Sequence, residues 1–215
     1  MSFSKEYWHN VPTLLKVYLI TLVLCAACAP KGVVIPVREG INLRDELTRM
    51  GSITSLDASF TIEFVRGEST MKGDAVLRLT PEDLDLRVYS LGFLVSEVTS
   101  HEGLTKSTPP IERTRLLLLI DGIRNSFFWW SIEGYEIDED DTAFLVTNSW
   151  RRIVFNKRTL LPVRQMINLE EGKELHIFYE DPQPLDSVWF PSKMRIELSS
   201  YTVNIAIRNI SFAHR

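Results

Sequence analysis

Cys28 is the residue whose surroundings most clearly indicate chemical modification. Charged and polar residues open the chain, an apolar block interrupted only by Thr21 covers Val17 to Leu24, and two alanines stand directly before Cys28. This order is typical of a secretory signal peptide that is cut after small residues. We therefore expect residues 1–27 to be removed, which leaves the Cys28 thiol at the new N-terminus.

The run Leu24-Cys25-Ala26-Ala27-Cys28 resembles the lipobox of bacterial lipoproteins. In that family the cysteine is acylated and becomes the first residue, so the resemblance implies a fatty-acyl anchor such as palmitate on Cys28. Ala29 follows the cysteine. By the sorting rule of enteric bacteria, a residue that is not acidic at this position favours the outer membrane over the inner one.

Three other interpretations of this segment stay open. The apolar block has about eight residues, whereas a helix that spans a bilayer needs about 20, which argues against a transmembrane anchor. Cys25 is a second acceptor for the acyl group, but Leu24 is large for the residue that precedes a cleavage site. A disulfide between Cys25 and Cys28 is the third interpretation, and cleavage before Cys28 would exclude it because Cys25 would be lost with the signal peptide.

Few other side chains are arranged for chemistry. The pattern Glu174-x-His176 is more typical of a solvated strand face than of metal ligands, and His101 lies in a predicted turn. Glu139-Asp140-Asp141 lacks the ligand spacing of an EF-hand loop, and the sequence has neither a Gly-x-Ser-x-Gly elbow nor a glycine-rich phosphate loop. We expect no enzyme, no metal and no cofactor. A hydrolase stays open as an alternative, because two carboxylates can meet through space.

The bulk composition restricts the partners and the architecture. Removal of residues 1–27, which hold two lysines and one glutamate, leaves 188 residues with 22 basic and 27 acidic side chains, a formal charge of −5. An acidic chain is a poor match for nucleic acid. Because Cys25 and Cys28 are the only cysteines, we expect one domain that is held by a hydrophobic core rather than by disulfides.

A tether and a first helix precede the strand-rich region. Residues 28–41 hold prolines and glycines without a helical period, so we predict an acylated N-terminus and a flexible tether. A helix is predicted from Asn42, which is a good N-cap, with Leu43, Leu47 and Met50 on one face. The pattern leaves open whether this helix ends at Gly51 or restarts after it.

Alternation of apolar and polar residues predicts about ten strands, and their close spacing predicts an antiparallel meander. One apolar, amphipathic helix is predicted between Glu112 and Trp130, within the series of strands. The acidic run from Glu136 to Asp141 is predicted to be a loop. The predicted strands lie at 58–64, 71–79, 84–88, 93–100, 143–148, 151–156, 162–168, 174–180, 192–199 and 202–212.

This order of elements resembles the LolA/LolB family of lipoprotein carriers and outer-membrane lipoprotein receptors. The likeness covers most of residues 42–212, and it implies that residues 42–215 form a mainly β (α+β) domain. In that family a single, strongly curved antiparallel sheet forms an incomplete barrel covered by helices. The resemblance is carried by Ser55–Thr61, Lys72–Pro81, Asp85–Gly92, Phe155–Val163, Tyr179–Asp181 and Phe190-Pro191.

The chain also departs from the soluble carriers. Thr80 stands before Pro81 where the carriers have an arginine, so we do not transfer the role of that arginine to Arg78. Cys28 favours the receptor branch, because the carriers lack an acylated cysteine. The receptors have a protruding loop after the third strand, with an exposed leucine that aids transfer to the membrane. The matching residues here are Leu91, Phe93 and Leu94. The alternative that these side chains face the core stays open.

A sheet that curls without closing leaves one concave apolar face, and a helix loosely packed over it leaves room for an acyl chain. Burial contributes about 0.8 kcal/mol per CH₂, so such a site needs no polar chemistry. On the sheet we expect it to be lined by Phe60, Ile62, Phe64, Leu77, Leu86 and Val88. On the helix we expect Leu116, Leu119, Ile120, Ile123, Phe127 and Trp130. A filled core is the alternative, because inward strand residues look the same in both cases.

These expectations combine into a monomeric, lipid-anchored protein of the outer membrane that faces the periplasm. It would bind acyl chains, lipoproteins or another envelope lipid, receive them from a soluble periplasmic carrier, and aid their delivery to the outer membrane. The alternative is a scaffolding lipoprotein with a filled core that docks partner proteins. An exposed apolar patch beside a filled core would favour that alternative.

Overall fold

The computed structural model describes residues 35–38, 40–169, 172–186 and 188–215. Cys28, the predicted signal peptide and most of the predicted tether lie outside the described residues. Arg38 lies within the tether prediction, and its backbone N–H donates to the carbonyl of Arg158 at 2.9 Å. Its guanidinium pairs with Glu46 at 2.7 Å. Among the described residues, no helix has both the length and the apolar character to cross a membrane.

Helix α1 spans Leu43–Met50, and its start after Asn42 confirms the prediction. It ends at Gly51 and does not restart, because β1 begins at Ile53. The side chain of Asn42 accepts a hydrogen bond from the backbone N–H of Arg44 at 2.9 Å, and Gly51 donates back into the last turn. Because the apolar face points inward, the helix packs into the core through Leu43, Leu47 and Met50.

Twelve strands lie in the described part of the chain. They are β1 (Ile53–Arg66), β2 (Ser69–Leu79), β3 (Leu84–Ser90), β4 (Phe93–His101), β5 (Leu104–Thr108), β6 (Glu136–Glu139), β7 (Ala143–Thr147), β8 (Arg151–Asn156), β9 (Pro162–Asn168), β10 (Glu174–Leu185), β11 (Val188–Leu198) and β12 (Tyr201–His214). Buried and exposed residues alternate along most of them, which confirms the period-two pattern.

All twelve strands form one antiparallel sheet in the order β5-β4-β3-β2-β1-β12-β11-β10-β9-β8-β7-β6. The first and last strands pair with each other in the middle, where Phe64 faces Val203 and Ile62 faces Ile205. The free edges are β5 and β6, which do not pair. The sheet is therefore an incomplete barrel, as the resemblance implies.

Two strands, β5 and β6, are absent from the prediction. The prediction of a loop from Glu136 to Asp141 is wrong for Glu136–Glu139, which pairs with β7, and holds only for the last two residues. The segment Leu104–Thr108 after His101 pairs with β4. Both strands are short and lie at an edge of the sheet, where exposed polar residues are tolerated, so neither has a clear apolar alternation.

One helical segment connects the two edges of the sheet. It consists of α2 (Arg113–Leu117), a π-helical turn (Leu118–Gly122) and α3 (Ile123–Phe127), which follow one another without interruption. We call residues 113–127 the covering helix. It lies against β10 and β11. Helices therefore make a smaller cover over the sheet than predicted, and the irregular turn ends at Gly122.

Candidate functional site: the covered concave face

The concave face of the sheet and the covering helix enclose one hydrophobic core. The structure brings all twelve predicted acyl-binding residues together in this core or at its margin. Phe64, Val88 and Leu116 are half-buried and pack against its edge. The buried members are Phe60, Ile62, Leu77, Leu86, Leu119, Ile120, Ile123, Phe127 and Trp130.

The centre of this core is filled by the protein's own aromatic side chains. Phe127 of the covering helix lies between Phe60 and Phe190 of the sheet, with ring centroids 5.7 and 6.1 Å apart. Trp129 packs edge-on against Trp130 at 5.1 Å and against Phe155 at 5.6 Å. Because these rings occupy the concave face, an acyl chain enters it only if the covering helix moves away from the sheet.

Arg151 fastens the C-terminal end of the covering helix. It is only 2% exposed. The guanidinium donates to Gln165 Oε1 at 2.6 and 3.0 Å, and to the backbone carbonyls of Ser131 at 2.8 Å and of Asn125 and Trp129 at 3.2 Å. A helix C-terminus carries partial negative charge, so a buried cation is favourable there.

The surroundings of Arg151 also shift two pKa values. Burial lowers the pKa of the Arg151 guanidinium to about 10, so it still carries its charge at neutral pH. Burial raises the pKa of Tyr179, whose hydroxyl lies 3.4 Å from the carbonyl of Asn125. Gln165 Nε2 donates to that carbonyl at 3.0 Å. The end of the helix is therefore held by polar groups rather than by apolar packing alone.

A second polar contact fastens the N-terminal end of the covering helix. The hydroxyl of Tyr201 donates to the carboxylate of Glu112 at 2.5 Å, just before α2 begins. This hydrogen bond lowers the pKa of Glu112 and raises that of Tyr201. Arg115 lies over the ring of Phe64 at 4.4 Å, and Arg66 lies over Tyr201 at 4.9 Å. The covering helix is thus fastened at both ends to the sheet.

The π-helical turn lies where the covering helix comes closest to the sheet. A Cβ atom on Gly122 would lie 2.8 Å from Cγ2 of Ile196 and 3.5 Å from Cδ1 of Leu175, so only glycine permits this approach. Asp121 stands next to it, and burial raises the pKa of its carboxyl while Arg124 lowers it. Turns of this kind are often found at functional sites.

Two clefts open beside the C-terminal end of the covering helix, and they share Phe128 and Ser131 in their walls. The larger, of about 520 Å³, is lined by Asp121 and Arg124 on the helix and by Trp150 before β8. The smaller, of about 270 Å³, is lined by α1 and by Trp130. These clefts lead from solvent toward the filled core.

The β3–β4 hairpin ends in exposed apolar side chains. Leu91 and Gly92 have φ angles of 50° and 83°, as a two-residue type I′ turn requires. Leucine is uncommon at positive φ, because its Cβ crowds the backbone. Leu91 is 95% exposed and Phe93 is 75% exposed, and Leu94 and Val95 are exposed as well. The alternative that these residues face the core is therefore excluded.

The sequence prediction missed Arg151 and Gln165. Both lie in phase with the inward residues of their strands, Ile153 on β8 and Ile167 on β9. A polar side chain at an inward position of an alternating strand is a usable signal, because buried polar groups need partners. The partners themselves are backbone carbonyls of the covering helix and the segment after it, which no residue pattern reveals.

His101 and His176, the two histidines considered in the sequence analysis, lie apart from this site. His101 forms a short contact with Asp83, and His176 lies 3.4 Å from Glu174. The carboxylate of Asp83 accepts a hydrogen bond from the imidazole of His101, and this raises the pKa of His101. Within the described ranges, no group of three or more His, Cys, Asp or Glu side chains is placed to hold a metal ion.

Comparison with known proteins relates this geometry to solved structures. No protein-family model and no curated protein matches the chain. A LolA superfamily protein from Nitrosomonas europaea is similar to it in fold, with 9% identity and a TM-score of 0.56, over 82% of this chain and 96% of that chain. A domain from Vibrio parahaemolyticus described as an outer membrane lipoprotein-sorting protein has 10% identity and a TM-score of 0.51, over 79% of this chain and 90% of that chain. The resemblance in fold that the sequence indicates is confirmed.

Proposed function

We propose that this protein binds the acyl chains of lipoproteins, or of another envelope lipid, on its concave face and aids their delivery to the outer membrane. The observation that carries the proposal is the incomplete barrel, whose apolar interior is covered by one helix fastened at its two ends. Cys28, outside the described residues, would anchor the protein to the membrane through its acyl group. The partner would be a soluble periplasmic carrier.

Acyl binding would exchange one apolar filling for another. Each buried CH₂ of a ligand contributes about 0.8 kcal/mol, so about ten carbons supply about 8 kcal/mol. The polar contacts of Arg151 and Glu112 would be replaced by contacts with water, at a net cost of about 0.5–1.5 kcal/mol for each hydrogen bond. The six hydrogen bonds together cost about 3–9 kcal/mol, which is comparable with the gain from about ten carbons. Displacement of the covering helix would therefore also need its apolar side chains to stay buried against the ligand or the membrane.

The tip of the β3–β4 hairpin would bring the protein to the membrane for transfer of the bound acyl chain. Leu91 and Phe93 project into solvent from a strained turn, at a position where folding alone would favour a polar residue. Insertion of these side chains into a bilayer would bury their apolar surface and bring the concave face close to the membrane.

Photo-cross-linking tests the acyl-binding face. The photoreactive residue benzoylphenylalanine replaces Phe60 or Leu86 on the concave face, and it replaces Thr61 or Arg87 in the matched controls. Each control is the next residue of the same strand, on the opposite face of the sheet. We expect cross-links to palmitate-labelled lipoprotein from positions 60 and 86 only, together with acyl lipid in the mass spectrum of the purified protein. Equal labelling from both faces, or from neither, would refute the proposal.

One observation favours the alternative function, a scaffolding lipoprotein that docks partner proteins. The core is filled, and an apolar patch at Leu91 and Phe93 is exposed, which is the combination expected for a docking platform. A scaffold would yield protein cross-links from a photoreactive residue at position 93. It would yield no acyl cross-links from position 60.

A further inference from the structure

Basic side chains lie among apolar ones on the outer face of the sheet, over β8 to β11. Arg164 is opposite Phe178 on the adjacent strand, and Phe178 is opposite Arg195, whose guanidinium carbon lies 4.4 Å from the ring centroid. We call this surface the outer basic patch; its members are Arg152, Val154, Arg164, Met166, Phe178 and Arg195.

Two arginines of the patch are close neighbours of like charge. Val154 pairs with Arg164 and Arg152 pairs with Met166, so the two arginines are diagonal neighbours across β8 and β9. Diagonal neighbours are about 7–8 Å apart, within reach of long side chains. Both are exposed. Neither guanidinium has an ion pair or a hydrogen bond to another of the residues that the structure describes.

The other arginines considered on the outer face are neutralised by carboxylates. Within the patch, Arg195 pairs with Glu197 at 2.9 Å. Arg78 pairs with Asp57 at 3.0 Å, and Arg87 contacts Glu97 at 2.9 Å and Asp85 at 3.2 Å. The chain has 28 acidic and 24 basic residues, so composition does not force any arginine to lack a partner. The uncompensated charge of Arg152 and Arg164 is therefore a local property of the outer basic patch.

The patch surrounds a hollow of about 300 Å³. Its apolar lining is Leu145, Val154, Met166 and Phe178, and its polar lining is Arg152, Arg164, Gln165 and His176. This volume is at the lower end for sites that hold a small molecule. Apolar walls lower the local dielectric and strengthen the attraction between a guanidinium and an anion. Guanidinium groups bind phosphate through paired hydrogen bonds. The hollow therefore fits a phosphate with a short apolar attachment better than it fits an extended protein surface.

We propose that the outer basic patch binds the phosphate-bearing headgroup of an anionic membrane lipid. Arg152 and Arg164 contact the phosphate, and Phe178 packs against the glycerol and the first acyl carbons. This site lies on the opposite face of the sheet from the acyl-binding core. It is independent of the proposed carrier function, because neither arginine contacts the covering helix.

Titration of the full chain with a soluble lipid tests the site. The probe is dihexanoyl phosphatidylglycerol below its micelle concentration, compared with dihexanoyl phosphatidylcholine, inorganic phosphate and a hexaglutamate peptide. The test variant is Arg152→Gln/Arg164→Gln. The matched control is Arg78→Gln/Arg87→Gln, which removes the same charge from the neutralised half of the face. We expect the test variant to bind the anionic probe about tenfold more weakly and the control to bind it as the unmodified chain does.

A charge-neutral variant provides a second measurement. Phe178→Leu should weaken binding of the anionic lipid while leaving the charge unchanged, and circular dichroism checks that each variant is folded. The proposal is overturned if the test variant binds as tightly as the control, or if the zwitterionic probe binds as tightly as the anionic one. Equal affinity for inorganic phosphate would identify a free-anion site instead. Tighter, arginine-dependent binding of hexaglutamate would identify an acidic protein partner.

Discussion

Replacement of Arg151 by methionine should loosen the covering helix. Methionine has a similar length and no charge, so it fills the space of the side chain but donates no hydrogen bonds. The change removes five contacts, to Gln165 and to the carbonyls of Asn125, Trp129 and Ser131. The carbonyl of Asn125 keeps its hydrogen bond from Gln165 Nε2 at 3.0 Å.

The expected loss follows from the acceptors left without a donor. These are the carbonyls of Trp129 and Ser131 and the Oε1 atom of Gln165. Ser131 is exposed, so water replaces the donor at its carbonyl. An unsatisfied buried acceptor costs about 1–3 kcal/mol, so the other two, at Trp129 and Gln165, together cost about 4 kcal/mol. Burial lowers the pKa of Arg151 from 12.5 to about 10. The charge therefore destabilises the folded state by about 3 kcal/mol, and the variant regains that amount. The free energy of unfolding should fall by about 1 kcal/mol.

Urea denaturation and hydrogen exchange measure this effect. The midpoint of unfolding should fall for Arg151→Met, and amide exchange should accelerate at residues 124–129 more than in β1 and β12. Arg152→Met is the control, because Arg152 is the next residue of β8, faces outward and has no partner among the described residues. Association of an acyl probe should also become faster in Arg151→Met, because the covering helix opens more often.

Two results would refute this reasoning. A variant as stable as the unmodified chain would mean that water replaces the arginine at the buried acceptors without cost. Equal acceleration of exchange throughout the sheet would mean that Arg151 supports the whole core rather than the end of the covering helix. Arg151→Met/Gln165→Leu should regain part of the lost stability, because it removes one of the unsatisfied acceptors.

Three further predictions concern the covering helix and the hairpin tip. Gly122→Ala should lower the free energy of unfolding by about 1–3 kcal/mol, because the new Cβ would clash with Ile196. In a double-mutant cycle measured by urea denaturation, Ile196→Ala should offset that loss. Leu91→Asn should raise thermal stability, because asparagine tolerates positive φ, and should lower transfer of labelled lipoprotein to vesicles; unchanged transfer would remove Leu91 from the mechanism. The hydrogen bond from Tyr201 lowers the pKa of Glu112 from its ordinary value of 4.5. The stabilisation of the folded state by this hydrogen bond is therefore present above pH 4.5 and is lost as the pH falls through the lowered pKa. Acid titration of stability should therefore be shallower in Tyr201→Phe, and identical curves would contradict this assignment.

Local patterns predicted those parts of the fold that depend on neighbouring residues. Asn42 predicted the start of α1, because capping is a local hydrogen-bonding property. Alternation predicted β1 and its partners, because a strand with one buried face repeats every two residues. The edge strands Leu104–Thr108 and Glu136–Glu139 escaped prediction, because an exposed edge imposes no such repeat.

The sequence by itself determined a strand-rich domain with an apolar helix inserted among its strands, because side-chain period and turn residues act over a few positions. Only the tertiary structure decided that Phe127 fills the concave face, that Arg151 fastens the covering helix, and that Leu91 lies in solvent. The residue type of an apolar side chain does not reveal whether that side chain lines a cavity, fills it or lies in solvent. Which of these it does depends on atoms that are distant in the chain and meet only when the sheet curves.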